Sequence, residues 1–237
     1  MPASDITLYT SPTSNGHKVS VVLEELGLPY NVQAIDLVKE EQKQEWFLKI
    51  NPNGRIPAIT DGAQRIFESG AIMQYLVDKY DTERKISYAP GTPEYYEQLS
   101  WLMWQVSGLG PMQGQANHFT CFAPVRSDYS IQRYKNETKR LYSTIEARLR
   151  ESPYLAGEKY TIADIACVGW IRVAPVILDI DLNEWPTLKK WLDSILQREA
   201  VKKGMLVPPM ANSEEQMIAF LTEKKKEIMA KGSTDIQ

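Results

Sequence analysis

Apolar and polar positions alternate with a period of two in Ile6-Thr-Leu-Tyr9, then take helical spacing from Lys18 to Leu26, and this switching continues to residue 80. It predicts strands at Ile6–Tyr9, Asn31–Asp36, Ala58–Thr60 and Arg65–Phe67, helices at Lys18–Leu26 and Gly70–Tyr80, and a helical turn at Gln44–Leu48. Gly27-Leu-Pro29 closes the first helix by a glycine stop followed by a proline. Such alternation describes a small α/β domain. From Glu94 to Gly204 only the helical period remains, with Leu99, Leu102, Met103 and Val106, then Leu141, Ile145 and Leu149, three and four apart. The expected partition is an α/β domain over 4–82 and a linker over 83–93, where Ala89-Pro-Gly-Thr-Pro93 cannot continue a helix. An all-α domain over 94–206 and a charged tail over 207–237, partly helical on a narrow stripe of Met217, Ile218, Phe220, Leu221 and Ile228, complete it.

Composition narrows the partners. With 43% hydrophobic and 24% charged residues the 237-residue chain is ordinary for a globular protein. A formal net charge of −3 lacks the basic footprint of nucleic-acid binding. No apolar run reaches the roughly 20 residues of a membrane span, and Met1-Pro-Ala-Ser-Asp5 lacks the order of a signal peptide, so a cytoplasmic protein is expected. Cys121 and Cys167 form neither a C-x-x-C pair nor a metal-ligand pattern, so both are expected to pack as thiols and no metal is called for.

The chemistry concentrates in Asn51-Pro-Asn-Gly-Arg-Ile-Pro57 and Phe67-Glu68-Ser69-Gly70. Pro57 heads a short apolar run where it cannot donate to a ladder; a cis Ile56–Pro57 bond would leave the N–H and C=O of Ile56 free to pair with a ligand backbone. Glu68 and Ser69 fall at a helix start, where free N–H groups and the dipole attract a carboxylate. Ser69 can donate to that carboxylate while Glu68 accepts from an adjacent ammonium, an arrangement suited to an amino-acid head group. In the loop before the first helix, Thr13, Ser14 and Asn15 offer donors for an anion, though such residues also cap helices and make turns. Thr161-Ile-Ala-Asp164 has capping-box spacing and is read as a folding signal.

N-P-N-G-R-I-P, then F-E-S-G-A-I, then Tyr160-Thr161-Ile-Ala-Asp164, in that order, resemble the cytosolic glutathione transferases. The loop Ser11-Pro-Thr-Ser-Asn15-Gly16-His-Lys18 and the run Trp104 to Gln115 are similar to the Nu class of bacteria and its fungal relatives, those of the yeast nitrogen-regulator prion protein. The resemblance implies a thioredoxin-like N-terminal domain followed by the all-α domain, glutathione as co-substrate, and a homodimer. It places Asn15 and Thr13 at the glutathione sulfur, with Ser14 on the position of the catalytic serine in other classes. Ile56, beside Pro57, is expected to pair with the cysteinyl backbone, Glu68 and Ser69 to hold the γ-glutamyl end, and Gln42 or Arg55 to reach the glycine carboxylate. Arg140 corresponds to a position near this site, and a helix-surface ion pair explains it equally. The acceptor pocket is expected at Trp104, Met112, Gln115, His118, Phe119 and Phe122, an adaptable wall of Met and aromatic groups.

Three readings follow. The first is a glutathione transferase that aims the thiolate at a small apolar electrophile. The second is a glutathione-dependent disulfide oxidoreductase or peroxidase. The third is a non-catalytic glutathione-binding regulator, for which the long Asn/Gln-rich extension of the yeast relative has no counterpart ahead of Ile6.

Overall fold

The structure is a computed structural model and describes residues 5–209 and 214–233. The N-terminal part holds strands β1 (Ile6–Thr10), β2 (Tyr30–Ala34), β3 (Ala58–Asp61) and β4 (Gln64–Phe67) with helices α1 (Ser14–Glu25), α2 (Glu45–Leu48) and α3 (Ser69–Tyr80). The sheet order is β2-β1-β3-β4. β1 runs parallel to β2, with Leu8 opposite Val32, and antiparallel to β3, with Leu8 opposite Ile59. The period-two alternation sends Ile6, Leu8 and Ile59 into the main core with Val19, Val22 and Leu23 of α1 and Ile72, Met73 and Leu76 of α3. The opposite side is closed by a smaller cluster, Ile35, Phe47 and Ala58.

Helix α4 (Pro93–Trp104) passes through one π turn, Gln105–Leu109, into α5 (Gly110–Cys121), and α6 (Asp128–Glu151), α7 (Ile162–Leu178), α8 (Pro186–Leu196), α9 (Glu199–Gly204) and α10 (Glu214–Met229) follow. α7 is apolar on nearly every side and central. Its start is a complete capping box: Asp164 accepts from Thr161 N–H at 2.9 Å and also from Leu155 N–H and the Trp191 indole, at 3.0 and 3.1 Å.

The two parts share one core, and polar contacts fix their angle. A Cβ on Gly204 would lie 2.6 Å from the Cα of Val21, so α9 and α1 touch backbone to backbone. Ser20 Oγ donates to the Gly204 carbonyl at 2.7 Å, and Arg198 grips Glu25 through two nitrogens at 2.6 and 2.8 Å. No described helix is long and apolar enough to cross a membrane.

Beyond shifts of one or two residues at element ends, such as β2 at Tyr30–Ala34 instead of Asn31–Asp36, two features differ from expectation. α1 starts at Ser14 rather than Lys18, because Thr13 caps it: the Thr13 hydroxyl oxygen accepts from Gly16 N–H at 3.1 Å. The π turn was not foreseen, since a single extra residue leaves the apolar spacing of Leu102, Val106 and Leu109 almost intact.

Candidate functional site

The loop between β1 and α1 is the centre of the site, and Gly16 decides its shape. A Cβ there would come within 2.4 Å of both Ser11 O and Thr10 Oγ1, so only glycine lets the first turn of α1 fold back on the strand end. Thr13 then stands in extended geometry with its oxygen occupied as an acceptor and its O–H proton available to a ligand. Ser14 points away from the cleft, donating to the Gly169 carbonyl of α7 at 2.8 Å. Asn15 is held from the same helix: the Trp170 indole N–H donates to Asn15 Oδ1 at 3.2 Å. An indole nitrogen only donates, so the atom facing it is the amide oxygen, and the Asn15 NH2 is left as the donor end.

The second wall comes from the segment 51–57 and the start of α3. Asn51 is buried and pins its loop by donating to Arg55 O at 2.7 Å and accepting from Asn53 N–H at 3.0 Å. The Ile56–Pro57 bond is cis. Glu68 precedes α3 with φ at +69° and makes no side-chain cap, so the first N–H groups of that helix face outward without an intrahelical partner. Beneath them lies Lys18, only 2% exposed, whose ammonium donates to Ser69 Oγ at 3.3 Å and to Gln105 Oε1 at 2.5 Å. Burial lowers its pKa to about 7, against the opposing pull of Cys167 and Glu68. Because Ser69 Oγ accepts from Lys18, its own O–H is turned outward as a donor.

These pieces enclose a cleft of about 720 Å³ lined by Thr13, Asn15, Gln42, Arg55, Ile56, Pro57, Glu68 and Ser69, with Leu37, Asn51 and Pro111. Gln42 Oε1 is buried there without a hydrogen-bond partner, as a ligand-binding group would be. A second cavity, about 290 Å³, opens on the other side of the same loop. It shares Thr13 with the cleft and is walled by Pro12, Phe122, Val173, Val176 and Ile177, with Ile218 and Leu221 of α10.

The remaining sequence-selected residues are dispersed. Phe122 lines the small cavity. Met112 and Arg140 border a third cavity, of about 670 Å³, where Arg140 is engaged with Glu137 at 2.7 and 2.8 Å. Trp104 packs edge-on against Trp101 with centroids 5.2 Å apart. Phe119 stacks on Tyr134 at 5.7 Å, and Gln115 and His118 are exposed. Sequence reasoning gave no site role to Lys18, Gln105 or Trp170, or to His17, Asn117 and Arg172 of the small cavity. His17 and Lys18 lie in the loop Ser11 to Lys18 and Gln105 in the run Trp104 to Gln115, whereas Asn117, Trp170 and Arg172 carry no local signal.

Comparison with known proteins agrees with this geometry. Residues 4–78 match the family model described as glutathione S-transferase, N-terminal domain, and residues 114–199 that described as glutathione S-transferase, C-terminal domain. The chain is 45% identical over 208 residues to the disulfide-bond oxidoreductase YfcG of Escherichia coli, covering 85% of this chain and 94% of that protein. A glutathione transferase homolog from Lodderomyces elongisporus, crystallised with two GSH per subunit, superimposes with a TM-score of 0.83 at 50% identity, over 86% of this chain and 99% of the other. URE2P6 from Phanerochaete chrysosporium, in complex with oxidized glutathione, gives a TM-score of 0.82 at 41% identity, over 92% and 98% of the two chains.

Proposed function

Since the chain belongs to the glutathione S-transferase family, we propose that it activates the thiol of glutathione and delivers it to a small apolar electrophile. The observation carrying this reading is the position of Thr13, which with Asn15 stands where a polar, tripeptide-sized cleft meets a small apolar cavity. The cleft of about 720 Å³ lies within the roughly 300–1,000 Å³ of small-molecule binding sites. The Ser69 hydroxyl and the first N–H groups of α3 receive the γ-glutamyl carboxylate, with the Lys18 charge behind them, and Glu68 accepts from the ammonium. Ile56 pairs with the cysteinyl backbone, and Gln42 and Arg55 meet the glycine end.

The free thiol has a pKa near 8.5, so a few per cent is ionised at neutral pH. Donation from the Asn15 NH2 and the Thr13 hydroxyl favours the thiolate; a two-unit fall in pKa requires about 2.7 kcal/mol, within reach of two such bonds. The thiolate lone pair forms the carbon–sulfur bond while the leaving group departs with its electron pair.

Disulfide reduction is the second reading, favoured by the identity to YfcG and by relatives solved with oxidized glutathione or two GSH. Here the thiolate attacks one sulfur of a disulfide, the other leaves as thiolate, and a second glutathione resolves the mixed disulfide to glutathione disulfide. Turnover of an aryl halide is compared with turnover of hydroxyethyl disulfide. A larger kcat/KM with the halide supports the transferase, the reverse supports the reductase, and no turnover of either with no glutathione binding overturns both. A homodimer is the proposed assembly, and a monomer by light scattering at micromolar concentration would refute it.

A further inference from the structure

The π turn between α4 and α5 supplies a group that lies behind the cleft rather than in its lining. Gln105, its first residue, is fully buried, and its side-chain oxygen accepts from the Lys18 ammonium at 2.5 Å. An ammonium only donates, so the amide oxygen must face it, and Gln105 Nε2 is left buried without a partner. Gly110 makes room for that amide: a Cβ there would lie 3.1 Å from Gln105 Nε2. The same turn packs on the start of α3, where a Cβ on Gly70 would lie 3.1 Å from Val106 Cγ1. Single π turns within α-helices recur at functional sites.

Both hydrogen-bond partners of Lys18, Ser69 Oγ and Gln105 Oε1, are neutral. The titratable groups that act on it are Glu68, exposed ahead of α3, and the Cys167 thiol of α7, which burial pushes up and keeps neutral. A buried cation held by neutral acceptors gains most from an anion brought to it.

We propose that Gln105 is a positioning residue for the γ-glutamyl carboxylate: by holding the Lys18 ammonium against Ser69 it sets the charge behind the first turn of α3, and with it the pH range over which the ligand binds. This rests on the glutathione reading of the cleft. A carboxylate at the start of α3 favours the charged lysine, so binding raises the Lys18 pKa and takes up a proton. Affinity is then highest below the unloaded pKa and falls as pH rises through the loaded one. Taking a neutral acceptor from a buried ammonium lowers its pKa, and putting a carboxylate in its place raises it. Changes at Gln105 therefore move the fall in affinity along the pH axis.

S-methylglutathione, which has no ionisable thiol, is titrated calorimetrically into the full chain and two variants between about pH 6 and pH 8. The unsubstituted protein should lose about fivefold in affinity across that range, as a rise of about one unit in the Lys18 pKa on loading dictates. In Gln105→Leu the fall should move to lower pH by about one unit. In Gln105→Glu affinity should vary by less than about twofold, because the lysine stays charged throughout. Gln105→Glu is isosteric with the native side chain, and its flat profile decides alone where Gln105→Leu does not fold. A role confined to packing predicts a common loss at every pH with the fall unmoved, and that result overturns the proposal. A flat profile in the unsubstituted protein, with binding intact, overturns it as well. Absence of S-methylglutathione binding by the unsubstituted protein at every pH overturns instead the glutathione reading on which it stands.

Discussion

The indole N–H of Trp170 donates to Asn15 Oδ1 at 3.2 Å, joining the middle of α7 to the first turn of α1 and fixing which end of the Asn15 amide faces the cleft. Trp170 is itself confined: a Cβ on Gly114 would lie 3.4 Å from its ring, and its carbonyl accepts from Gln113 at 2.6 Å. Asn15→Ala removes the donor and is expected to lower kcat by about 10²-fold, the usual cost of one donor to a developing or stabilised anion. Trp170→Phe keeps the donor but frees it to rotate, with an expected loss of about three- to tenfold, the range of one hydrogen bond. The pKa of bound glutathione, read from thiolate ultraviolet absorbance, should rise in both variants, more in the first. An unchanged pKa in Asn15→Ala would transfer the role to Thr13.

Ser14 behaves differently because its hydroxyl is committed to Gly169. Ser14→Ala should cost about 1 kcal/mol of stability with the thiol pKa unmoved. Chemical denaturation and the same absorbance titration separate these effects; a thiol pKa shift in Ser14→Ala would show that the hydroxyl turns to the sulfur.

The Lys18 pKa of about 7 is expected to give the proposed glutathione binding a pH dependence. A carboxylate at the start of α3 favours the charged lysine, so binding should draw in a proton, and affinity should weaken as pH rises through about 7. S-methylglutathione isolates this from thiol ionisation. Calorimetry in buffers of different ionisation enthalpy should detect proton uptake in the unsubstituted protein and none in Lys18→Met. Pure pH independence would mean that the ammonium and the ligand carboxylate are not coupled.

Arg140 is exposed and paired with Glu137, and it borders a cavity other than the cleft. Arg140→Ala should change the Kd for glutathione by less than twofold. A tenfold loss would return Arg140 to the glutathione site.

What was legible in the sequence follows the range of the interactions involved. Thr13, Pro57, Glu68 and Ser69 act through their own backbone neighbourhood, so turn and cap chemistry marks them, whereas the tight fit of Gly16 against the strand end shows only in three dimensions. Lys18 has the sequence context of any surface lysine on a helix; its burial is made by Gln105, 87 residues away in the π turn. Nearness along 104–122 suggests a single acceptor wall, but a helix distributes consecutive side chains around its whole circumference. Met112 and Phe122 accordingly border different cavities, while His118 turns to solvent. The actual walls of the small cavity, Arg172 and Val176 from α7 and Ile218 and Leu221 from α10, converge from distant segments with nothing local to mark them.

Helix α10 is tied to the body at its C-terminal end as well as by Leu221 beside the cavity. Arg126 donates to the Met229 carbonyl at 2.6 Å, Lys225 pairs with Asp179, and Ile228 is buried. Positions 218 and 221 line the small cavity, Leu221 also packing on the main core, and the residues lining the larger cleft all lie before residue 112. On the proposed reading the two cavities meet at Thr13 but only the smaller one has a wall from α10, so drift in the last helix would alter the choice of acceptor while leaving the lining of the tripeptide cleft untouched.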